Sequence, residues 1–440
     1  MVWRTSNLNE VDIFNNGFLP EFTRAQANLA INQAAGVQSF QNLGRPGQFA
    51  LPIFDAAFGA RGGLAAIAAG SGYQSTGFID NLTNGAAGTL AGTLATNQNY
   101  ACRMFGSTFS PCARVLPTAN APGPYPINFF LLNPFVGNRL NFIDDTGWDN
   151  YNGLQVQFRQ RLSHGLTWNF NWTWSKSLTN IAADNQNQSV DFLTLRNFDT
   201  SNRESLFDIR HTIQVYGTYD LPIGRGKLLN LNNKVLDAVF GGWTWGNIFV
   251  FNTGQPVQLT GGFATVNNSN NPGVSGVQLA PGVTLKQIEK MFHAKRVPLT
   301  SLNRAGATPT QFLAVDQSLI GPDGRANPAF IQPNRTPGSF GQILFIRDRN
   351  TFTWDTSIIK NIRIMEGKSL ELFAGFNDFL NHPRWGIPDT NVFSTTFGVV
   401  NGPGYVKHSP AALATMAASS TCAPRLNSRR RLEQLACRMI

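Results

Sequence analysis

The chain reads as an all-β protein: a partial transmembrane antiparallel β-barrel, about seven strands of a larger barrel, with long extracellular loops containing short helices. Three observations lead there. Apolar and polar residues alternate over stretches of about ten residues, the length a tilted strand needs to cross a bilayer. One face of that alternation is rich in large rings, whereas the other is small and polar. Finally, the connections are tight on one side and long on the other, as periplasmic turns and extracellular loops are.

The clearest strand covers residues 152–162, where Leu154, Val156 and Phe158 point one way and Gln155, Gln157 and Arg159 the other. After Ser163-His164-Gly165 the pattern sharpens: Leu166, Trp168, Phe170, Trp172 and Trp174 alternate with Thr167, Asn169, Asn171, Thr173 and Ser175. The short Gly-containing link predicts a hairpin. A soluble β-sandwich also alternates, and that alternative stays open. The ring content favours a barrel wall, because three Trp among five large side chains are hard to fit into one soluble core layer and Trp is favoured where a wall meets the lipid interface. Trp168, Phe170, Trp172 and Trp174 are therefore expected to face lipid.

Ile213, Val215, Tyr219 and Leu221 form the outer set of the next strand, between Thr212, Gln214, Tyr216, Thr218 and Asp220. Residues 243–253 follow with Trp243, Trp245, Phe249 and Phe251 on one face, blurred by Ile248 and Val250 on the other. A last hairpin pairs 351–364 with 369–381. Its outer set is Trp354, Thr356, Ile358, Ile362, Leu370, Leu372, Ala374 and Phe376; its inner set is Asp355, Ser357, Asn361, Arg363, Glu371 and Asn377.

The segments near 15–147, 177–206 and 254–350 are rich in Asn, Gly, Pro and Ser and read as long surface loops. Two carry helix signals. Thr284 precedes Gln287 by three residues, and Leu285, Ile288, Met291 and Phe292 then recur at helical spacing. Residues 20–34 place Phe22, Ala25 and Leu29 on one side. Local packing of a surface loop accounts for both.

Composition agrees. Of 440 residues, 14% are charged, and the mean hydropathy of -0.15 is what alternation yields when one whole face is apolar. No apolar run of helical-span length occurs. The start, Met1-Val2-Trp3-Arg4-Thr5-Ser6-Asn7, lacks the basic and apolar regions of a secretory signal. The net charge of +10 is concentrated: beyond residue 405, Lys407, Arg425, Arg429, Arg430, Arg431 and Arg438 face Glu433 alone. No nucleic-acid reader module accompanies them, so no nucleic-acid partner is expected.

Cys102 and Cys112 enclose a short Gly-, Ser- and Pro-containing loop and are a disulfide candidate; two free thiols remain the alternative. Cys422 and Cys437 lie in the basic tail. His164, His211, His293, His382 and His408 are scattered without metal spacing, Gly224-Arg225-Gly226 is too short to cradle phosphate, and no nucleophile elbow is found. Asp355 and Glu371 are read as balancing Arg363. The sequence thus predicts no enzyme, no metal and no cofactor.

Several runs resemble the C-terminal barrel of Oar-like TonB-dependent receptors of the acidobacterial type. They are Tyr151-Asn152-Gly153-Leu154-Gln155-Val156, Trp172-Thr173-Trp174-Ser175-Lys176-Ser177, Phe207-Asp208-Ile209-Arg210-His211, Tyr219-Asp220-Leu221-Pro222-Ile223-Gly224, Gly241-Gly242-Trp243 and Thr253-Gly254-Gln255-Pro256. Trp354-Asp355-Thr356-Ser357, Lys360-Asn361 and Phe376-Asn377-Asp378-Phe379-Leu380-Asn381-His382-Pro383 complete the series, and Leu8-Asn9-Glu10-Val11-Asp12-Ile13-Phe14 extends it to the N-terminal side.

The resemblance implies residues 1–405 as part of a receptor barrel in the cell outer membrane, lacking plug and TonB box, from a protein that takes up a bulky nutrient by energy-coupled transport. Implied partners are outer-membrane lipid, the plug and remaining strands, an extracellular solute, and TonB only through the missing N-terminal parts. A surface-adhesion or matrix-interaction protein is the alternative from another class. Residues 406–440 depart from the family's aromatic-ended last strand and are expected to be a replaced, disordered basic tail.

Overall fold

Period-two alternation becomes pleated sheet over each predicted strand, though the last ends short of its predicted bound. The computed structural model describes residues 2–7, 9–107, 112, 122–136, 141–180, 193–267, 276–302, 304, 306–365, 368–382, 385–401 and 413–420. For 2–7, 141–144, 146, 363–365, 368, 369 and 413–420 it describes the backbone alone.

The chain opens with β1 (Val2–Asn7), then α1 (Phe18–Ala34), α2 (Pro52–Phe58), α3 (Thr76–Thr83), α4 (Ala87–Thr96) and α5 (Gln98–Phe105). Next come β2 (Asn141–Gly147), β3 (Asp149–Ser163), β4 (Leu166–Thr179), β5 (Arg203–Glu204), β6 (His211–Asp220), α6 (Lys234–Phe240) and β7 (Trp243–Asn252). The second long connection holds β8 (Pro256–Leu259), β9 (Val277–Leu279), α7 (Leu285–Phe292), β10 (Val297–Pro298), β11 (Gln311–Leu313), β12 (Ile331–Pro333) and β13 (Leu344–Arg347). β14 (Thr351–Met365), β15 (Lys368–Phe376), β16 (Val399–Asn401) and β17 (Leu413–Ser420) close the order.

One large antiparallel sheet dominates, in the order β17-β15-β14-β7-β6-β4-β3, with the short β5 beside β4. Among the described residues it is an open sheet. Strands of this sheet follow one another in chain order, the steps from β7 to β14 and from β15 to β17 passing over strands that belong to other sheets. The β3–β4 link turns at His164 and Gly165, with φ of 52° and 80°, the left-handed pair a two-residue hairpin of matching twist requires.

Four expectations are corrected. The segment 15–147, expected as a surface loop with one helix near 20–34, holds five α-helices among the described residues: α1 to α5 share a core of Phe18, Phe22, Phe54, Phe58, Leu82 and Leu90, with Phe40 and Phe78 among the rings. Helices of seven to ten residues such as α2 to α5 are marginal alone, so packing creates them and local periodicity hides them. The segment 254–350 likewise folds around Leu259, Ile288, Leu313, Leu319, Ile331 and Phe397. The last strand ends at Phe376, not 381: Asp378 and Asn381 take φ of 46° and 51°, and Phe379 N donates to Trp354 O at 2.7 Å. Within the tail expected to be disordered, Leu413–Ser420 forms β17 and pairs with β15. A sheet edge offers a row of unpaired backbone groups whatever the side chains opposite. The rest of the tail, including Cys422, Cys437 and Arg429-Arg430-Arg431, lies outside the described residues, as do 181–192 and 268–275.

Both predicted helices form. α1 buries Phe22, Ala25 and Leu29, and Thr284 Oγ1 caps α7 by accepting from Gln287 N at 3.3 Å. In the helical body Glu21 is 3% exposed; its Oε1 accepts from Ile53 N (2.7 Å) and Phe54 N (2.9 Å) at the start of α2. Burial pushes its carboxyl up to about 7. Cys102 and Cys112 are joined as a disulfide with Cα atoms 5.3 Å apart.

Two predictions follow from this body. Glu21 binds its proton more tightly folded than unfolded, so its contribution is full below about pH 4.5 and is lost as pH rises to about 7, by about 3 kcal/mol. Hydrogen exchange of α2 amides should therefore be slower at pH 5 than at pH 7 after correction for intrinsic rates, and Glu21→Gln should flatten that dependence. Separately, reducing the 102–112 bridge should lower the body's stability by about 2–3 kcal/mol, read as a loss of denaturant midpoint that Cys102→Ser reproduces.

Candidate functional site

The strand register carries the apolar sets of neighbouring strands onto one face. On β3 and β4, Leu154 faces Trp174, Val156 faces Trp172 and Phe158 faces Phe170. Phe170 then meets Val215, and Trp172 meets Ile213 on β6. Val215 pairs with Phe249, Ile213 with Phe251 and Tyr219 with Trp245 on β7. Phe249 pairs with Trp354 and Trp245 with Ile358 on β14, and Ile358 and Ile362 with Ala374 and Leu370 on β15. Ile248 and Val250, which blurred the sequence pattern, fall on the opposite face.

The apolar side chains of this belt range from half-buried to exposed, and on β6 and β7 the other face is open too, at Gln214, Tyr216, Thr218 and Ile248. Trp168 and Trp174 are 36% and 41% exposed and Phe158 is 58% exposed, whereas Ser175 and Ser177 on the other face of β4 are buried. Phe170 and Trp172 are half-buried. A sandwich core would bury these rings. β3, β4 and β14 are 14 or 15 residues long and β6, β7 and β15 are 9 or 10, enough for a tilted strand to cross hydrocarbon. No described helix is long and apolar enough to cross a membrane.

One row across the belt brings three polar or bare positions together. Gly217, Asn247 and Thr356 stand side by side on β6, β7 and β14. Asn247 Oδ1 accepts from Trp354 Nε1 at 2.9 Å, and Thr356 Oγ1 accepts from Trp245 Nε1 at 2.8 Å while reaching Gly246 O at 3.0 Å. The flanking indoles thus satisfy both polar side chains, and Thr356 is buried beneath them. At Gly217 a Cβ would come within 2.2 Å of Thr167 O. Its missing side chain opens an apolar hollow of about 390 Å³, walled by Trp168, Val215, Tyr219, Trp245 and Phe249. Sequence reasoning missed this row. Its only signal is that Asn247 and Thr356 interrupt two ring-rich runs, and only the register brings the interruptions together.

At the loop end, the residues of the Phe207–His211 run mount the loops on the wall. Asp208, 1% exposed, accepts from Ser177 N at 2.6 Å through Oδ1 and meets Arg347 Nη2 at 2.6 Å and Arg210 Nε at 3.2 Å through Oδ2. Arg347 also meets Glu204 Oε2 at 2.6 Å, and Arg210 meets Glu204. Thr253 N donates to His211 O, and His211 N donates to Thr253 Oγ1, both at 3.0 Å. Above this rim the two loop bodies interlock. Glu10 accepts from Thr194 Oγ1, Leu195 N and Asn267 Nδ2, each at 2.9 Å, and Asp12 pairs with Arg196 at 2.7 Å. Burial raises the Glu10 carboxyl above its ordinary value.

The predicted balance of Arg363 by Asp355 and Glu371 falls outside the described residues, as the Arg363 side chain does. Asp355 Oδ1 accepts from Asp378 N at 2.7 Å, anchoring the turn after β15. His211 stacks on Trp172 at 6.0 Å between centroids, and His382 stands edge-on to Phe352.

If the belt meets hydrocarbon, Phe249→Arg near mid-strand should cost about 2–4 kcal/mol in lipid vesicles, measured by urea unfolding against Phe249→Leu. Gln214→Arg on the opposite face should cost far less. Thr356→Val, which leaves an indole N–H and Asn247 without that partner, should cost about 1–3 kcal/mol in the same assay.

No curated protein matches the chain. Residues 67–406 match the family described as outer membrane beta barrel domain, a span that covers the second half of the helical body, the whole sheet as far as β15, and the second loop body. The chain therefore belongs to the outer-membrane β-barrel domain family, and its place is the outer membrane.

Proposed function

We propose that this chain is the C-terminal part of an Oar-like TonB-dependent receptor. Its strands supply part of the wall, and its loop bodies form the outward surface that meets a bulky solute taken up by energy-coupled transport, with no catalytic step. The observation that carries this reading is where the receptor-like runs fall. Asp208 and Arg210 hold the loop base through Glu204 and Arg347. Gly254, where a Cβ would meet Asp348 O at 1.7 Å, lets the second loop leave β7 against its own return. Asp355 anchors Asp378.

Those runs therefore serve the mounting of large folded loops on a strand wall, which is what a receptor for a bulky ligand needs and a bare pore does not. Solutes of that size call for a lumen of roughly 22 strands around a plug, so the remaining strands, the plug and the TonB-contacting segment are assigned to other parts of the complete protein.

The deciding test is to read the DNA directly upstream for a plug-encoding frame, express the complete product in the outer membrane, and ask whether the periplasmic domain of TonB captures it. Capture is expected. A complete product without a plug that TonB does not capture would remove transport and leave the adhesion reading.

A further inference from the structure

The connection between β6 and β7, at the same end of the sheet as the β3–β4 and β14–β15 turns, carries an amphipathic helix mounted with its polar side inward. Asn233 Oδ1 caps α6 by accepting from Val235 N at 2.8 Å and Leu236 N at 3.4 Å. Asp237 Oδ1 accepts from Arg225 N at 2.7 Å, which turns that side of the helix toward its own loop. At helical spacing Val235, Leu236, Val239 and Phe240 fill the opposite arc. They are 70%, 45%, 52% and 55% exposed, and Leu228 and Leu229 of the same connection are 87% and 57% exposed.

The C-terminal end of α6 is tied to the belt side of the wall. Trp243 Nε1 donates to Val239 O at 3.0 Å. Lys360 Nζ donates to Val239 O at 3.4 Å and to Gly241 O, and stands 5.2 Å over the Trp243 ring. Trp243 and Lys360 are cross-strand partners on the belt face. The apolar arc is thus continuous with the belt at its turn end, and water is a poor neighbour for four apolar side chains on one helix face with two more in the same connection.

We propose that residues 228–240 form a membrane-interface anchor. α6 lies in the boundary between headgroups and acyl chains of the leaflet at the turn end, with Val235, Leu236, Val239 and Phe240 among the acyl chains. Arg225, Lys227 and Lys234, all exposed, stand at headgroup level, where cations meet lipid phosphates. Trp243 marks the boundary, where an indole with a satisfied N–H is favoured. The occupant is phospholipid, and the inference rests on the belt facing hydrocarbon.

The test uses the full chain in phospholipid vesicles, with Cys422 and Cys437 replaced by Ser and one nitroxide label per variant. Labels at Leu236→Cys and Val239→Cys replace exposed side chains and leave the wall intact. Asn232→Cys reports the aqueous side, and Phe249→Cys or Ile358→Cys reports the belt. Collision with oxygen is compared with collision with a water-soluble nickel chelate. The oxygen-to-nickel ratio at 236 and 239 is expected to rise well above that at 232 and to stay below that at the belt reference. A ratio at both positions equal to that at 232, with the belt reading lipid, overturns the anchor and leaves the belt standing. Shielding from both reagents places protein on the arc and overturns it too. Should the belt reference itself read water, the lipid-facing wall fails and the anchor falls with it.

Discussion

Register is the constraint on which the rest of this structure depends. A pleated strand sends successive side chains to opposite faces, so a slip of one residue would turn every ring of one strand to the wrong side. In lipid no backbone group can be left to water, so the ladder must also be continuous through the membrane. From β3 to β15 the register satisfies both demands: Leu154, Trp172, Ile213, Phe251 and Phe352 fall on one face, and polar residues occupy most of the positions between. Three polar or bare positions on the belt sit side by side, where two indoles close over Asn247 and Thr356. Set apart from each other and from those indoles, Asn247 and Thr356 would each have left a polar group among apolar side chains with no partner.

The wall in turn provides a fixed rim for the loops. Asp208 lies at the junction of β4, β6 and the return of the second loop body, and one buried carboxylate with two guanidinium partners holds three chain segments together. Removing one member of such a cluster leaves its partners uncompensated, which is why a node of this kind locates a loop more sharply than scattered surface pairs do. Higher up, Glu10 and Asp12 join the helical body to the segment around Arg196 and Asn267. The loop end is therefore a folded cap, with cores of its own, on a thin sheet. At the other end of the strands the arrangement reverses: there the β3–β4 and β14–β15 turns are tight, and in the longer β6–β7 link α6 turns its apolar arc away from the protein.

Much of the wall was legible before any coordinates. Strand positions, the tight turn at His164-Gly165, and the outer and inner sets of β14 and β15 all follow from period two and from Gly at a left-handed turn. The helices α1 and α7 were legible because each carries enough apolar repeats, or a Thr cap, to show a helical period by itself. α2 to α5 were not: in seven to ten residues the spacing of Ala, Phe and Leu is ambiguous, and only their shared core makes those segments helical. The end of β15 was misplaced because Asn377 to Asn381 continue a loose alternation, while the backbone turns there to meet Trp354 and Asp355. The mounting role of Asp208 and Arg347 was illegible because the partners are separated by 139 residues.

The sequence by itself determined the strands, the two faces of each and the tightness of the turns, since these depend on neighbours one to four residues apart. Tertiary structure alone decided which strands adjoin, that Gly217, Asn247 and Thr356 form one row, that the long loops are packed bodies, and on which side of the wall α6 rests. These are pairings between distant residues, and the free energy that selects them comes from burial and hydrogen bonds that no local pattern encodes.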